Sequence, residues 1–177
     1  MTETTVLIRR LTGEEAYRRN SSLADILIDC VEGGASVSFM APLSREKAET
    51  FWRDVAAGVG RGERALLVAE DAVTNITVGT VQVVFGQPEN QPHRADVAKM
   101  LVMRRARNRG IGGMLMSAAE QAARASGRTL LVLDTGSDEA KRLYERMGWT
   151  RVGEIPGYAL WPDGRPCATT YYYKSLI

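Results

Sequence analysis

The chain has 177 residues, 45% hydrophobic and 25% charged, with 23 basic side chains against 21 acidic ones for a formal net charge of +2. A length of this order is one domain's worth, taken as residues 1–177, with a core that needs no disulfide or metal to hold it. So small a net charge gives no footing for nucleic acid or a membrane surface.

Residues 5–11 are a β-branched run that reads as a strand, and Thr12 with Glu15 three positions on resembles a capping box opening a helix. Leu23, Ile26, Leu27, Cys30 and Val31 recur at helical spacing until residues 33–40, glycine- and serine-rich, break the pattern as a loop. Ser44 followed by Lys47 opens another helix, carrying Ala48, Phe51, Trp52 and Val55 on one face, with Gly58 and Gly60 at its end. Residues 65–69 and 76–85 read as an antiparallel hairpin about a polar turn at 71–75. A loop holding Pro88 and Pro92 then leads to a strand over 95–103. Beyond the glycines that follow, Ile111, Met114, Leu115, Ala118, Ala119, Ala122 and Ala123 make the apolar stripe of a helix, with Gly127 just past its end. Residues 130–134 lack polar alternation, as a strand covered on both faces requires, and a helical crossover makes it parallel to the strand before. Asp138 is expected to cap a helix with Ala140, Leu143, Tyr144 and Met147 as apolar positions and Gly148 as its end. The last strands fall at 149–155 and 169–173, about a turn at 162–164.

Everything is organised around the strand, turn and helix at Val102-Met-Arg-Arg-Ala-Arg107-Asn-Arg-Gly110-Ile-Gly112-Gly113. Glycines there let backbone approach a ligand closely, and the free N–H groups at a helix start, with its positive dipole end, suit a phosphate. An anionic cofactor is therefore expected. The third glycine of a dinucleotide fingerprint is missing, and so is the Gly-Lys-Ser/Thr of a P-loop. What remains is an Arg-x-x-Gly-x-Gly pattern at Arg107, Gly110 and Gly112.

Together with Ala140-Lys-Arg-Leu143-Tyr144-Glu-Arg-Met-Gly148-Trp149, that pattern resembles the GNAT superfamily of acyl-CoA N-acyltransferases. The resemblance implies an α/β fold, α+β by some schemes: a central mixed, mostly antiparallel sheet with a parallel pair at the acyl-CoA site, flanked by helices. It implies acetyl-CoA as co-substrate, with the pyrophosphate held at Arg107, Asn108, Arg109, Gly110, Ile111, Gly112 and Gly113. The pantetheine would run beside Leu101, Val102 and Met103, and an N–H near Leu101 or Val102 would face the thioester oxygen. Ser137 stands where the family often carries an Asn toward the pantetheine, and its reach is shorter. Tyr144 corresponds to the proton donor for the departing sulfur. Asp134, at the end of the buried strand, and Asp96, on its neighbour, are the two candidate bases for the amine.

Outside the cofactor motifs, Gly33-Gly-Ala-Ser-Val-x-Phe39-Met-Ala41, Thr150-Arg-Val-Gly-Glu154-x-Pro-Gly-Tyr158 and Pro162-Asp-Gly-Arg165 resemble the tabtoxin-resistance branch of that superfamily. This implies a small amine acceptor of detoxifying type, walled by Glu32, Phe39, Tyr158 and Trp161. The readings kept beside it are acetylation of a protein or peptide, and a non-catalytic acyl-CoA-binding module. Cys30 and Cys167 lie far apart without a CxxC or Cys/His cluster, and His93, the lone histidine, reads as exposed loop. No metal site and no acyl-enzyme are expected, and a reducing cytoplasm fits best. Residues 1–11 lack a secretory pattern and no apolar run approaches the roughly 20 residues that span a bilayer, so neither export nor insertion is expected. The oligomeric state, a homodimer included, is left open.

Overall fold

The computed structural model describes residues 5–177. Its strands are β1 (Val6–Leu11), β2 (Arg64–Asp71), β3 (Thr77–Val84), β4 (Arg94–Val102), β5 (Leu130–Thr135), β6 (Thr150–Leu160) and β7 (Pro166–Ser175). They form one sheet in the order β1-β2-β3-β4-β5-β7-β6, antiparallel throughout except for the β4–β5 pair. The expected hairpin at β2–β3 and the parallel crossover into β5 are both present.

Side chains alternate across each strand, so the two sheet faces take different helices. On one face α1 (Gly13–Arg18), α2 (Asn20–Glu32) and α3 (Arg45–Gly60) bury Leu23, Ile26, Leu27, Trp52 and Val55 against Leu66, Val68 and Leu101. On the other, α4 (Ile111–Ala125) lays Ile111, Leu115, Met116, Ala119 and Ala123 on Ala65, Leu67, Val81, Val83 and Val97. Tyr144 of α5 (Asp138–Arg146), Trp149 and Tyr172 extend that second core.

The helix ends follow their capping chemistry. Thr12 Oγ1 accepts the Glu15 N–H at 3.2 Å while the Thr12 N–H donates to the Glu15 carboxylate at 2.8 Å, a complete capping box. Ser44 Oγ accepts the Lys47 N–H at 3.2 Å, and Gly127, at φ 72°, takes the left-handed position just past α4. The first helical stretch is divided at Arg19, whose guanidinium reaches the buried Glu70 carboxylate of β2 instead of continuing the helix face. Helix α5 is capped by Ser137, whose Oγ accepts the Ala140 N–H at 3.2 Å; Asp138, the expected cap, is its first helical residue. The two last strands extend well beyond the expected segments, because β6 and β7 pair right up to the turn at 161–165.

Two irregularities position the site. Gln82 pairs with Ala98 but Thr80 pairs with Leu101, so Lys99 and Met100 together oppose Val81 in a β-bulge, with Lys99 in the left-handed region at φ 49°. The β4–β5 ladder covers only Arg94–Asp96 against Leu130–Val132. Past that point the two parallel strands part and leave a cleft.

Candidate active site

The cleft is a cavity of about 830 Å³ between the parting ends of β4 and β5. It is open to ligands where parallel strands end at their carboxyl side. At one end stands the start of α4. Gly110, at φ 73°, takes a conformation that only glycine adopts freely, and it turns the chain so that the unpaired N–H groups of the first helical turn face the cavity. A Cβ on Gly112 would sit 3.1 Å from Leu143 Cδ2, so the two sequence motifs pack directly on one another here. Arg107 is braced by its Nε, which donates to the Val102 carbonyl at 3.2 Å.

Backbone direction along β4 follows from peptide planarity. The Met103 N–H donates to the Val78 carbonyl at 2.9 Å, and the Lys99 carbonyl accepts the Thr80 hydroxyl at 3.0 Å, so both point toward β3. In a trans peptide the N–H after a carbonyl points the opposite way. The Met100 N–H therefore turns into the cleft. Leu101 pairs with Thr80 across the ladder, two positions from the Met103–Val78 bond, so its N–H belongs to β3 and that of Val102 faces the cleft. Of Leu101 and Val102, only Val102 can offer a donor to a bound ligand, and Met100, unforeseen from sequence, joins it.

Tyr144 lines the cavity from α5. It is 5% exposed, with its ring centroid 6.0 Å from those of both Trp149 and Tyr172. Burial, and then the charge of Asp134, push its phenol well above the ordinary tyrosine value, so it stays protonated. Asp134 stands across the cavity on β5, its Oδ2 accepting the buried Thr169 hydroxyl at 2.6 Å. That bond fixes the carboxylate and leaves Oδ1 for a ligand. Lys99, carried by the bulge, reaches Ser38 Oγ at 3.0 Å and lies over the Phe51 ring at 5.8 Å.

Of the residues singled out from sequence, the cavity brings together Leu101, Val102, Arg107, Asn108, Gly110, Ile111, Gly112, Gly113, Asp134, Ser137 and Tyr144, along with Phe39, Tyr158 and Trp161. Four lie elsewhere. Met103 packs between the two cores with its N–H committed to Val78. Arg109 stands near the β2–β3 turn, where, after the Thr74 N–H, it helps hold the Asp71 carboxyl below its ordinary range. Asp96 is occupied on both oxygens, by the Arg94 guanidinium on Oδ1 and by Gln87 Nε2 at 3.1 Å on Oδ2, so it is no free base. Glu32 pairs with Arg104 at 3.7 Å outside the cavity, and His93 is an exposed loop residue. Ser137 lines the cavity, but its oxygen already serves as a helix cap. Thr169 and Lys99 carried no sequence signal, since pairing across β5–β7 and the bulge bring them in.

Opposite the α4 end, two loops meet over the cavity. Ser36 Oγ donates to the Leu160 carbonyl at 2.9 Å and the Ala41 N–H donates to the Pro162 carbonyl at 3.1 Å. These bonds tie the loop at 33–42 to the β6–β7 turn and roof that side of the cleft. Among the described residues no group of three or more His, Cys, Asp or Glu side chains is placed to hold a metal, and no helix is long and apolar enough to cross a membrane.

The family model for the acetyltransferase (GNAT) domain matches residues 62–151. An uncharacterized N-acetyltransferase in the hisH-hisA intergenic region of Azospirillum brasilense is 31% identical over 122 residues, which are 68% of this chain and 70% of that one. Among solved structures, the chain is similar to the ribosomal-protein-alanine N-acetyltransferase from Brucella melitensis, at 22% identity and a TM-score of 0.78 over 96% of this chain and 99% of that one. It is also similar to a GNAT superfamily phosphinothricin acetyltransferase from Sinorhizobium meliloti in complex with AcCoA, at 18% identity and a TM-score of 0.79 over 97% and 89%. At these identities the two structures speak to the fold, and the mixed seven-stranded sheet with its parallel pair is the one they share.

Proposed function

Because the chain belongs to the acetyltransferase (GNAT) family, whose members are acetyl-CoA-dependent enzymes, we propose that it acetylates a primary amine of a small molecule by direct attack in a ternary complex. The observation that carries the small-molecule reading is the roof. The bonds from Ser36 to Leu160 and from Ala41 to Pro162 close the side of the cleft along which a peptide would have to lie.

The residues present fit acetyl-CoA. The left-handed Gly110, the Gly112–Leu143 approach and the first-turn N–H groups make a cradle for a pyrophosphate, and Arg107 adds positive charge. Bound there, acetyl-CoA supplies an acetyl thioester between β4 and β5. One of the two cleft-facing N–H groups, that of Met100 or that of Val102, receives the carbonyl oxygen as it gains negative charge; one preorganised donor of this kind is worth about 2.7–4 kcal/mol in a water-excluded site. Asp134 Oδ1 binds the acceptor's ammonium and takes its proton, directly or through one water, which frees the nitrogen lone pair to form the C–N bond. As the C–S bond breaks, the electron pair stays on sulfur and the Tyr144 phenol donates the proton that makes the free thiol. Cys30 takes no part as a nucleophile: burial pushes its thiol up, away from the reactive thiolate. Both cysteines are free and buried, which suits the reducing cytoplasm we propose as the setting.

The acceptor is further read as a toxin or antibiotic amine, from the sequence segments at 33–41, 150–158 and 162–165, the first and last of which contribute to this roof. The test is an acceptor screen with thiol release as readout, offering amino acids, β-lactam amino acids, aminoglycosides and peptide N-termini side by side. Free amines are expected to turn over and peptides not; peptide turnover without any free-amine turnover would sink the reading. In the same assay Tyr144→Phe is expected to slow turnover about 10²-fold, while acetyl-CoA affinity measured by calorimetry stays put.

A further inference from the structure

From the bulge in β4 we infer a second polar subsite in the acceptor cavity, built on Lys99 and Ser38, that takes a carboxylate; the acceptor is then an amino acid or a close analogue, bound by its ammonium at Asp134 and by its carboxylate at Lys99. The inference rests on the acceptor reading above and narrows it to a substrate class.

The bulge decides which face of the sheet receives the lysine. Val97 faces the α4 core and Ala98, paired with Gln82, faces the other side. In an unbroken strand Lys99 would fall on the α4 side, an apolar core that cannot take an ammonium. With the extra residue, Met100 takes that place, its sulfur near Gly112, and Leu101 returns to the α3 core. Lys99 is thereby delivered to the cavity side, at φ 49°, held by the Thr80 hydroxyl on its carbonyl. Its partner Ser38 is also a non-glycine residue in the left-handed region, at φ 78°. Two such residues meeting at one cavity wall is the clustering of backbone strain that marks functional sites.

Among the described residues the ammonium closes on no carboxylate in a direct ion pair. Lys141 closes on Glu154 at 3.6 Å and Lys174 on Glu120 at 2.8 Å, whereas among the described residues Lys99 meets a neutral hydroxyl and an aromatic face. Partial burial disfavours its charge, and the Asp134 carboxylate offsets part of that penalty from across the cavity. A cation held in a half-dry wall with donors to spare is completed by an anion. Lys99 has further N–H groups beyond the one on Ser38, and the Ser38 hydroxyl, already accepting, has its own hydrogen to give. Both lie on the face where Asp134 and Thr169 present the other polar subsite. One cavity wall thus carries an acid for an ammonium and a base for an anion, with Phe39, Tyr158 and Trp161 as apolar lining between the loops. A zwitterion meets both ends; a plain alkylamine leaves Lys99 uncompensated.

The test pairs α- and ω-amino acids, from glycine to 6-aminohexanoate and across the common side chains, with the alkylamines that lack only the carboxylate. In the wild type, kcat/KM for the preferred amino acid is expected to exceed that for its matched amine by about tenfold to hundredfold. Lys99→Met is expected to collapse that ratio toward unity through KM, and Lys99→Arg to keep most of it. A wild-type ratio near unity, or an unchanged ratio in Lys99→Met, overturns the inference while leaving amine acetylation standing. Binding is measured separately, by calorimetry in the presence of CoA, with N-acetyl amino acids against the corresponding N-alkylacetamides. A Lys99-dependent preference for the carboxylated compound supports the subsite even if no amine turns over, the outcome that would sink the parent reading alone; no preference overturns it.

Discussion

Burial beside Phe51 pulls the Lys99 ammonium below the ordinary lysine value, and the Asp134 carboxylate raises it back only in part. Ser38, the remaining polar neighbour, is neutral. The sign of the consequence for stability is definite. A lysine whose folded value is depressed binds its proton less tightly in the native state than in the unfolded chain. Its ionisation therefore costs nothing above the ordinary value of 10.5 and penalises the fold as pH falls through the depressed one. Lys99→Met, which keeps the apolar stem and removes the charge, is expected to raise the melting temperature of the ligand-free protein at pH 7. The gain should shrink as the pH is raised toward 10.5. Thermal denaturation of both proteins across that range checks it, and a destabilised Lys99→Met at pH 7 would refute it. Such a gain, together with the loss of carboxylate discrimination, is the exchange of stability for function that strained and charged sites make. None of this was legible in the residue itself. A lone lysine in a strand reads as a solvated side chain, and its role emerges only once a bulge and a distant loop have placed it.

Element by element, the chain's periodicities specify most of the fold. The helix at α4, the strand at β5 and the caps at Thr12 and Ser44 are local patterns with local causes, and they form where those patterns place them, although on α4 Met116 is buried and Met114, expected on the apolar face, is exposed. The two glycine and tyrosine motifs likewise meet as neighbours, Gly112 against Leu143. What local patterns do not hold is register. The sequence of β4 shows no glycine or proline at the bulge, because the bulge is set by β3, through the Thr80 hydroxyl on the Lys99 carbonyl. Asp96 illustrates the same gap: its pairing with Arg94, two residues before it on β4, is local and readable, but the Gln87 amide that takes its second oxygen comes from a loop folding back. Thr80 is fully buried. Thr80→Val keeps its shape and removes the hydroxyl, so it is expected to cost about 1 kcal/mol of stability in denaturant unfolding. If the bulge orients the Met100 N–H and Lys99 as described, kcat falls more than that modest loss accounts for, by about tenfold. Equal kcat in Thr80→Val and wild type would show that the hydroxyl is not what holds the bulge in its working form.

At the scale of the whole molecule, the sheet is two antiparallel halves, β1–β4 and β5–β7, joined through the short parallel ladder of Arg94–Asp96 with Leu130–Val132. Beyond it the two halves are separated by the cleft, with α4 and α5 meeting at the Gly112–Leu143 contact on one face and the loops meeting at Ser36–Leu160 and Ala41–Pro162 on the other. A ligand filling the cleft therefore replaces the missing part of the seam, taking up backbone donors on β4 and at the start of α4 while touching β5 and α5. Its binding energy should appear as stability of the joint. At acetyl-CoA concentrations about 100 times Kd, mass action stabilises the native state by about 2.7 kcal/mol. For a chain of this size that corresponds to a rise in melting temperature of about 5–11 °C. The protection must also be local in a defined way. Amide exchange is expected to slow at Met100, Val102 and Ile111 through Gly113, whose N–H groups face the cleft or open a helix. The β1–β2 pair, whose ladder runs from Val6 with Asp71 to Leu11 with Leu66 on the far edge, is expected to change only as much as global stability does. Hydrogen exchange read by mass spectrometry with and without acetyl-CoA distinguishes the two. Uniform protection across both regions would mean that the ligand stabilises the fold without occupying the seam.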